Sequence, residues 1–414
     1  MYVKSLFVKD LRCFKSTTIA LNHPGRTQET MPFPNVNLLL GDNGVGKSTI
    51  LKAISLAVLS DMMPGSGYVP YSLVRRTREA DEDVRSAEVN ADLVLHSLDV
   101  EGTGADRDYR STLRIRKVRQ RELFEQSSDQ IPADASPLIK LYDDDSAAFL
   151  LVGYGATRWA ISSSGVEPFA SQHKRRLPRY QRVAGLFEDQ VGLNPLSVWL
   201  PELERKNRAL YSEVGDLINE LLPDNTRFLG RREDDEYLFK HHGVAVPQGA
   251  LSDGYRAYLG WITDLLHNLC LALPSGMSLR DRPGVVLVDE VDLLLHPDWQ
   301  RTVVPTLAKA LPNLQFVLTT HSPIVAGTLT SQNIFVLDMD DSGISRVRQL
   351  KEAIHGLNAD QVLLSSYFNL ATTRAPGMRR ELRQLSKRAM AGDRDAAVGF
   401  LEKLVAGYED ESEE

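Results

Sequence analysis

The chain has 414 residues, of which 43% are hydrophobic and 25% charged, ordinary globular proportions that exclude bulk disorder. A net charge of -7 excludes a protein that is basic throughout, so any contact with nucleic acid has to come from a local basic patch. There is no apolar run of membrane-spanning length, no cationic region followed by an apolar stretch at the N-terminus, and only two cysteines, Cys13 and Cys270; a cytoplasmic protein with two reduced thiols is expected.

Residues 1–21 alternate as two strands, VKSLFVKDL and STTIAL, around the turn Arg12-Cys13-Phe14-Lys15. After a polar loop at about 22–35, Val36-Asn37-Leu38-Leu39-Leu40 reads as a buried strand that runs through a glycine-rich turn into the helical pattern STILKAISLAVL. Residues 61–85 are irregular and carry Arg75, Arg76 and Arg78. Residues 86–119 predict two antiparallel strands, and a polar loop covers about 120–137. AFLLVGYG, at about 147–155, is a further buried strand. The pattern is helical from about 179 to 222, then predicts a short hairpin at 226–247 and a long helix at 251–273. Gly284–Val288, Gln315–Thr319 and Asn333–Asp338 read as strands, with a helix at about 298–311 between the first two. From about residue 350 the chain is helical and charged, and its acidic tail EDESEE is expected to be disordered. Buried strands alternating with helices predict an α/β core, and the antiparallel part near 86–119 is expected to make its sheet mixed.

Residues Gly41-Asp42-Asn43-Gly44-Val45-Gly46-Lys47-Ser48-Thr49 fit the phosphate-loop pattern G-x-x-x-x-G-K-S/T, between a predicted strand and a predicted helix. Glycines let backbone N–H groups turn inward around phosphates, and the helix aims its N-terminus at the anion. Lys47 then neutralises phosphate oxygens and the Ser48 hydroxyl ligates Mg²⁺. Gly41, Asn43, Gly44, Gly46, Lys47, Ser48 and Thr49 are the candidate phosphate-binding residues.

Val285–Val288 is followed by Asp289 and Glu290, two carboxylates at the C-terminal end of a buried strand, where α/β sheets bind ligands. Asp289 suits Mg²⁺, and Glu290 suits the general base that polarises an attacking water. His321, in Thr319-Thr320-His321-Ser322-Pro323, comes after another buried strand and is placed to contact a γ-phosphate. Leu251-Ser252-Asp253-Gly254-Tyr255-Arg256 opens the long helix: Ser252 can cap it, Gly254 allows close backbone approach, and the helix start is a second anion site. A dimer needs two such clamps for one nucleotide, each protomer closing on the nucleotide held by the other.

These four motifs, in this order, resemble the ABC-type ATPase heads of the RecF/SMC/OLD group. GDNGVGKST is similar to their Walker A loop, LSDGYR to their signature motif, VVLVDE to Walker B, and TTHSP holds the switch histidine. The stretch from LVDEVDLLLHPDWQ to TTHSP, with YGATR and VWL before it, resembles the AAA_21 type of bacterial ATP-binding protein. The resemblance covers about residues 1–340. It departs at Tyr255-Arg256, where transporters carry Gly-Gln, and at GYGATR, where a glutamine is wanted and Arg158 stands. It implies a mixed-sheet P-loop core, with a nucleotide-binding lobe at 1–157 and 226–345, an inserted helical lobe at 158–225 and a C-terminal helical extension at 346–414. It also implies a Mg-ATP-dependent homodimer that hydrolyses ATP and controls an effector, such as an HNH nuclease or a retron component, in anti-phage defence like the Septu and retron-associated ATPases. The alternative is a RecF-like DNA-repair or chromosome-maintenance ATPase that binds DNA.

Three basic segments bear on that alternative: Arg114-Ile115-Arg116-Lys117-Val118-Arg119-Gln120-Arg121, Lys174-Arg175-Arg176 with Arg179 and Arg182, and Arg379, Arg380, Arg383, Lys387 and Arg388. Each is either a solvated charged face or a DNA or RNA phosphate contact. His241-His242 reads as solvated hairpin residues, and Asp338-Met339-Asp340-Asp341 as a strand-end turn rather than the metal pair of a nuclease.

Overall fold

The computed structural model describes residues 1–25, 31–76, 84–100, 107–125, 137–143, 145–160, 177–189, 191–223, 225–368, 370, 372–373 and 376–405. It divides into Met1–Leu357 and Asn358–Glu414. Among the described residues no helix is long and apolar enough to cross a membrane.

In the first unit, strands β1 (Tyr2–Leu11) and β2 (Phe14–Ala20) form a hairpin whose turn puts Arg12 in the left-handed region, φ 49°. Strand β3 (Val36–Gly41) leads into helix α1 (Lys47–Val58). Strands β4 (Ser86–Leu95), β5 (Arg107–Val118) and β6 (Arg121–Glu125) join the hairpin in an antiparallel sheet ordered β2-β1-β4-β5-β6. The third of these, β6, is a strand where a loop was expected; its Leu123 is exposed, so it lacks a clear alternation.

Strand β7 (Leu151–Tyr154) is shorter than its apolar run, because Phe149 takes a left-handed φ of 51° just before it. Strands β8 (Trp159–Ala160) and β9 (Gly192–Leu193) are a two-residue parallel pair. The helical stretch from 179 begins as isolated turns and becomes continuous only in α2 (Leu196–Lys206) and α3 (Arg208–Leu221). Asn207 separates these two: its side chain accepts the N–H of Leu210 at 3.1 Å, an N-cap that starts a new helix. The expected hairpin is three strands, β10 (Thr226–Glu233), β11 (Glu236–His241) and β12 (Val244–Pro247). Phe228 of β10 packs on α3 near Gly215, and its N–H donates to Asn219 at 2.8 Å.

Helix α4 (Asp253–Cys270) precedes β13 (Gly284–Val288). The helix expected at 298–311 is two pieces, the turn Pro297–Gln300 and α5 (Val303–Ala310). Strands β14 (Leu314–Thr320), β15 (Ile334–Met339) and β16 (Ser345–Arg348) complete a sheet ordered β16-β15-β3-β14-β13-β7. All of its pairings are parallel except that of the edge strand β16. β13 and β14 are buried at every position, which is why they read as unbroken apolar runs. The fold is α/β as expected, but the antiparallel strands at 86–119 form a sheet of their own with the N-terminal hairpin, and the six-stranded sheet is mixed through its edge strand β16 instead.

Helix α1 lies between the two sheets, against β1, β4 and β5 on one side and β3, β7 and β14 on the other. Ten of its residues are buried, so it has no solvent face to fray, and its N-terminus is held in place. In the second unit, α6 (Pro376–Met390) and α7 (Arg394–Val405) fold back on each other over Leu382 and Ala396, with Lys403 paired to Glu381. The acidic tail lies outside the described residues.

Ile54 is fully buried on α1, the helix that lies between the two sheets. Replacing it by alanine leaves a cavity that neither sheet can collapse into, and Ile54→Ala is expected to lower the unfolding free energy by about 3 kcal/mol in urea titration.

Candidate functional site

Because β3, β7, β13 and β14 run parallel, their C-terminal ends meet along one edge. Thr320 pairs with Leu40, and Val288 pairs with both Leu318 and Tyr154. The segments that leave these strand ends therefore line one edge: the glycine loop, the stretch to Arg158, Asp289-Glu290 and His321.

In the loop, Gly41 has φ 152° and Gly46 has φ 104°. A Cβ at Gly41 would sit 2.3 Å from the Leu337 carbonyl, and one at Gly46 would sit 2.5 Å from Cys13 Sγ. Only glycine fits either position. Gly46 is also the N-cap of α1, where no side chain makes a cap bond and no acidic residue occupies the first turn. The leading N–H groups of a fixed helix are thus left for an anion.

Lys47 is buried. Its ammonium donates to the carbonyls of Gly41 (2.8 Å) and Asp42 (2.9 Å) and to Nε2 of His321 (2.8 Å). For Nε2 to accept, the ring proton sits on Nδ1. Burial pushes the Lys47 pKa down, opposed by the negative charges of Asp289, Glu290, Asp42 and Asp292.

Thr319 organises the acidic pair. Its hydroxyl donates to Asp289 Oδ1 at 2.6 Å and accepts the N–H of Glu290 at 2.7 Å. Glu290 has φ 49°, a left-handed conformation that a residue with a side chain keeps only where its surroundings impose it. Thr320 donates to Asp292. The Ser48 hydroxyl and the Asp289 carboxylate are hard oxygen donors of the kind Mg²⁺ takes, so the residues present fit that ion. Asn43 and Gly44 are exposed on the loop, and Thr49 is buried behind it.

Arg158 stands where a glutamine was sought, and its guanidinium donates to the carbonyls of Asp289 (2.5 Å), Glu290 (2.6 Å) and Gly155 (3.1 Å). It lies 5.8 Å from the ring centre of Trp261, and burial lowers its pKa to about 10. Neither Arg158's carbonyl bonds nor the double use of Thr319 is readable from sequence; a threonine directly before TH is the one signal available.

Ser252 and Gly254 lie elsewhere. Ser252 is the N-cap of α4, but its side chain makes no cap bond and is exposed, a correction to the capping role expected from sequence. A Cβ at Gly254 would sit 2.5 Å from the carbonyl of Leu294, itself at φ 62°. Tyr255 meets Trp299 edge-on at 4.0 Å. Among the described residues no hydrogen bond joins Ser252 or Gly254 to Lys47, Asp289, Glu290 or His321. Of the two hairpin histidines, His242 is exposed as expected, while His241 is half-buried, packing edge-on against Tyr255 at 4.7 Å and bonding Thr226 at 2.8 Å, which joins β11 to the start of α4.

The basic segments turn out differently from one another. On the outer face of the antiparallel sheet, Lys9, Glu88, Arg114 and Glu125 are successive cross-strand neighbours, a row of alternating charge. Arg110 pairs with Asp92 (2.7 Å) and Arg116 with Glu125 (3.5 Å). Arg179 is buried and donates to the carbonyls of Lys140, Asp143, Ser146, Ala148 and Phe149, so it ties loops together and is neither a solvated nor a phosphate-binding residue. Lys174, Arg175 and Arg176 lie outside the described residues. On α6, Arg380, Arg383 and Lys387 are exposed and Arg388 pairs with Asp393. Asp340 accepts the N–H groups of Ser342 and Ile344 and pairs with Arg346, the geometry of a strand-end turn.

Residues 36–326 match the AAA_21 family, described as "AAA domain, putative AbiEii toxin, Type IV TA system". The chain is 35% identical over 153 residues to the "Retron Ec83 probable ATPase" of Escherichia coli, covering 37% of this chain and 28% of that one. It is 23% identical over 368 residues to the "Retron Vc95 probable ATPase" of Vibrio cholerae serotype O1 biovar El Tor, covering 73% and 69%. It is 25% identical over 343 residues to the "Septu protein PtuA" of Bacillus mycoides strain KBAB4, covering 81% and 41%. The chain thus spans 28% of the first relative's length and 41% of PtuA's. Its fold is similar to that of the SmcHead crystallised bound to the C-winged helix domain of ScpA, with a TM-score of 0.51 and 17% identity over 84% of this chain and 98% of that one.

The depressed pKa of Lys47 sets a pH dependence. Below its folded pKa the buried ammonium costs stability, and that cost fades as pH rises towards the ordinary lysine value. Lys47→Met removes the charge and keeps the stem. The melting temperature of the parent relative to this variant, without nucleotide, is expected to rise as pH rises from 7 towards about 10, as read by differential scanning fluorimetry.

Proposed function

The chain belongs to the AAA_21 family, and from that premise we propose that it is an ATPase that hydrolyses Mg-ATP as a homodimer and thereby controls a partner effector. The observation that carries this reading is the convergence, on one parallel sheet edge, of Lys47 bonded to His321 with the Asp289-Glu290 pair ordered by Thr319.

On this reading the glycine loop and the free N–H groups of α1 cradle the phosphates, and Lys47 exchanges its carbonyl partners for phosphate oxygens. Ser48 and Asp289 would hold Mg²⁺, which neutralises charge on the transferred phosphate. Glu290 takes the proton from the attacking water. His321, released from Lys47, contacts the γ-phosphate and reports its presence. The exposed hydroxyl of Ser252 and the start of α4 close on the nucleotide held by the other protomer. An exposed serine that spends no bond on capping its own 18-residue helix supports this two-protomer arrangement.

The likeness to two retron ATPases and to PtuA supports a place in anti-phage defence, with a nuclease as the effector most in keeping with that role. For DNA binding through the segment at 114–121, Arg114 and Arg116 face carboxylates across the sheet, while Lys117, Arg119 and Arg121 are exposed and open to phosphate.

Two variants test the reading. Lys47→Ala is expected to lose ATP binding in calorimetry while remaining folded. Glu290→Gln is expected to keep ATP binding, lose turnover by about 100-fold or more, and accumulate as a dimer in light scattering with Mg-ATP. Parent-like turnover of Glu290→Gln would remove Glu290 from the general-base role.

A further inference from the structure

Glu290 is held in an unusual way. Its left-handed backbone lies between two peptide units, each fixed at both ends. In the unit before it, the Asp289 carbonyl accepts from Arg158 at 2.5 Å and the Glu290 N–H donates to Thr319 Oγ1 at 2.7 Å. In the unit after it, the Glu290 carbonyl accepts from Arg158 at 2.6 Å and the Val291 N–H donates to the Thr319 carbonyl at 2.9 Å. With both planes fixed, the Cα–Cβ direction of Glu290 is fixed too, and with it the point from which the side chain reaches out.

Thr319 comes from the neighbouring strand, as any sheet partner would. Arg158 does not. It reaches in from the loop after β7, its guanidinium is desolvated, and the hydrogen bonds it makes go to carbonyls. Two Nη groups of one planar fork serve two successive carbonyls, which a lysine ammonium on a flexible stem cannot reproduce in fixed geometry. The guanidinium also lies over Trp261 of α4, within cation–π range. The same helix is keyed to β7 a second time, where Tyr154 donates to the buried Asp264 at 2.8 Å.

We propose that Arg158 is a positioning residue for the hydrolytic step, setting the aim of the Glu290 carboxylate through the Asp289 and Glu290 carbonyls while braced on Trp261 of the helix that begins at Ser252. This rests on Glu290 being the general base. A residue that only holds the fold together would affect binding, turnover and stability alike. One that aims the base affects turnover alone, and only while the base is present.

The test is a double-mutant cycle in steady-state ATP hydrolysis with Arg158→Lys, Glu290→Gln and the pair, alongside calorimetric ATP binding and thermal unfolding. Arg158→Lys is expected to lower kcat about 100-fold. Its KM and ATP affinity should stay within about threefold of the parent, and the double variant should be no slower than Glu290→Gln alone. An unchanged kcat, a KM that rises with kcat intact, or the same loss in both backgrounds overturns the role of Arg158. A parent that does not hydrolyse ATP overturns the ATPase reading itself; a hydrolysing parent with an unaffected Arg158→Lys overturns only the positioning role. Should Arg158→Lys fail to fold, Trp261→Phe probes the brace: kcat falling about threefold or more at constant KM supports the role, and constant kcat overturns it.

Discussion

A buried ammonium needs acceptors on every proton, and Lys47 finds its three in the carbonyls of Gly41 and Asp42 and in His321 Nε2. That one constraint ties together two strand ends. Gly41 closes β3 and His321 comes directly after β14, neighbours in the parallel sheet, so the lysine can be satisfied only if both strands end at the same level. The helix that carries Lys47 is in turn immobilised by burial between two sheets. The position of the charge is therefore set by the hydrophobic core of the unit rather than by the loop alone.

The acidic pair obeys the same logic with the sign reversed. Asp289 is buried, and its carboxylate has a hydroxyl donor in Thr319 and the charge of Lys47 nearby. The left-handed backbone at Glu290 is a local cost, of the order of 1–3 kcal/mol for such positions. It is offset by bonds from Thr319 and Arg158 to every backbone group around it. Strain of this kind persists where surrounding structure over-determines it, and here the surroundings are two side chains and a sheet pairing.

How much of this could be read in the chain depended on how far apart the interacting groups lie. The glycine loop, Lys47 and α1 are contiguous, and their chemistry is legible because the whole anion cradle is made by consecutive residues. The parallel order of β3, β13 and β14 is legible because strands buried on both faces lose their alternation. Arg158 and Glu290 are 132 positions apart, and nothing in GYGATR says that a guanidinium will spend itself on carbonyls. Arg179 misleads for a similar reason: in a basic stretch it looks like surface charge, but its donors face inward to backbone carbonyls. Composition shows the charge of a segment and not its partners, which is why the arginines of β5 read as a patch and fold as a ladder. Helix breaks obey local chemistry that is easy to underrate, as at Asn207, whose side chain outcompetes continuation of the helix.

The loop after Glu290 connects the two halves of the proposed chemistry within one protomer. Leu294, in a left-handed conformation, presents its carbonyl to Gly254, close enough that any side chain there would clash. Further along the chain, Trp299 packs edge-on against Tyr255. Elsewhere on α4, Trp261 lies under Arg158 and Asp264 accepts from Tyr154. The helix that begins at Ser252 is thus gripped from the acidic pair's own loop and from the strand next to it. The glycine at 254 has a reason within its own chain, independent of any nucleotide on a second one. A helix held at these points cannot shift its N-terminus without disturbing the backbone around Glu290, and a change in that backbone is carried to the helix. A continuous set of packed contacts therefore runs from the backbone around Glu290 to the helix start proposed to meet a second protomer.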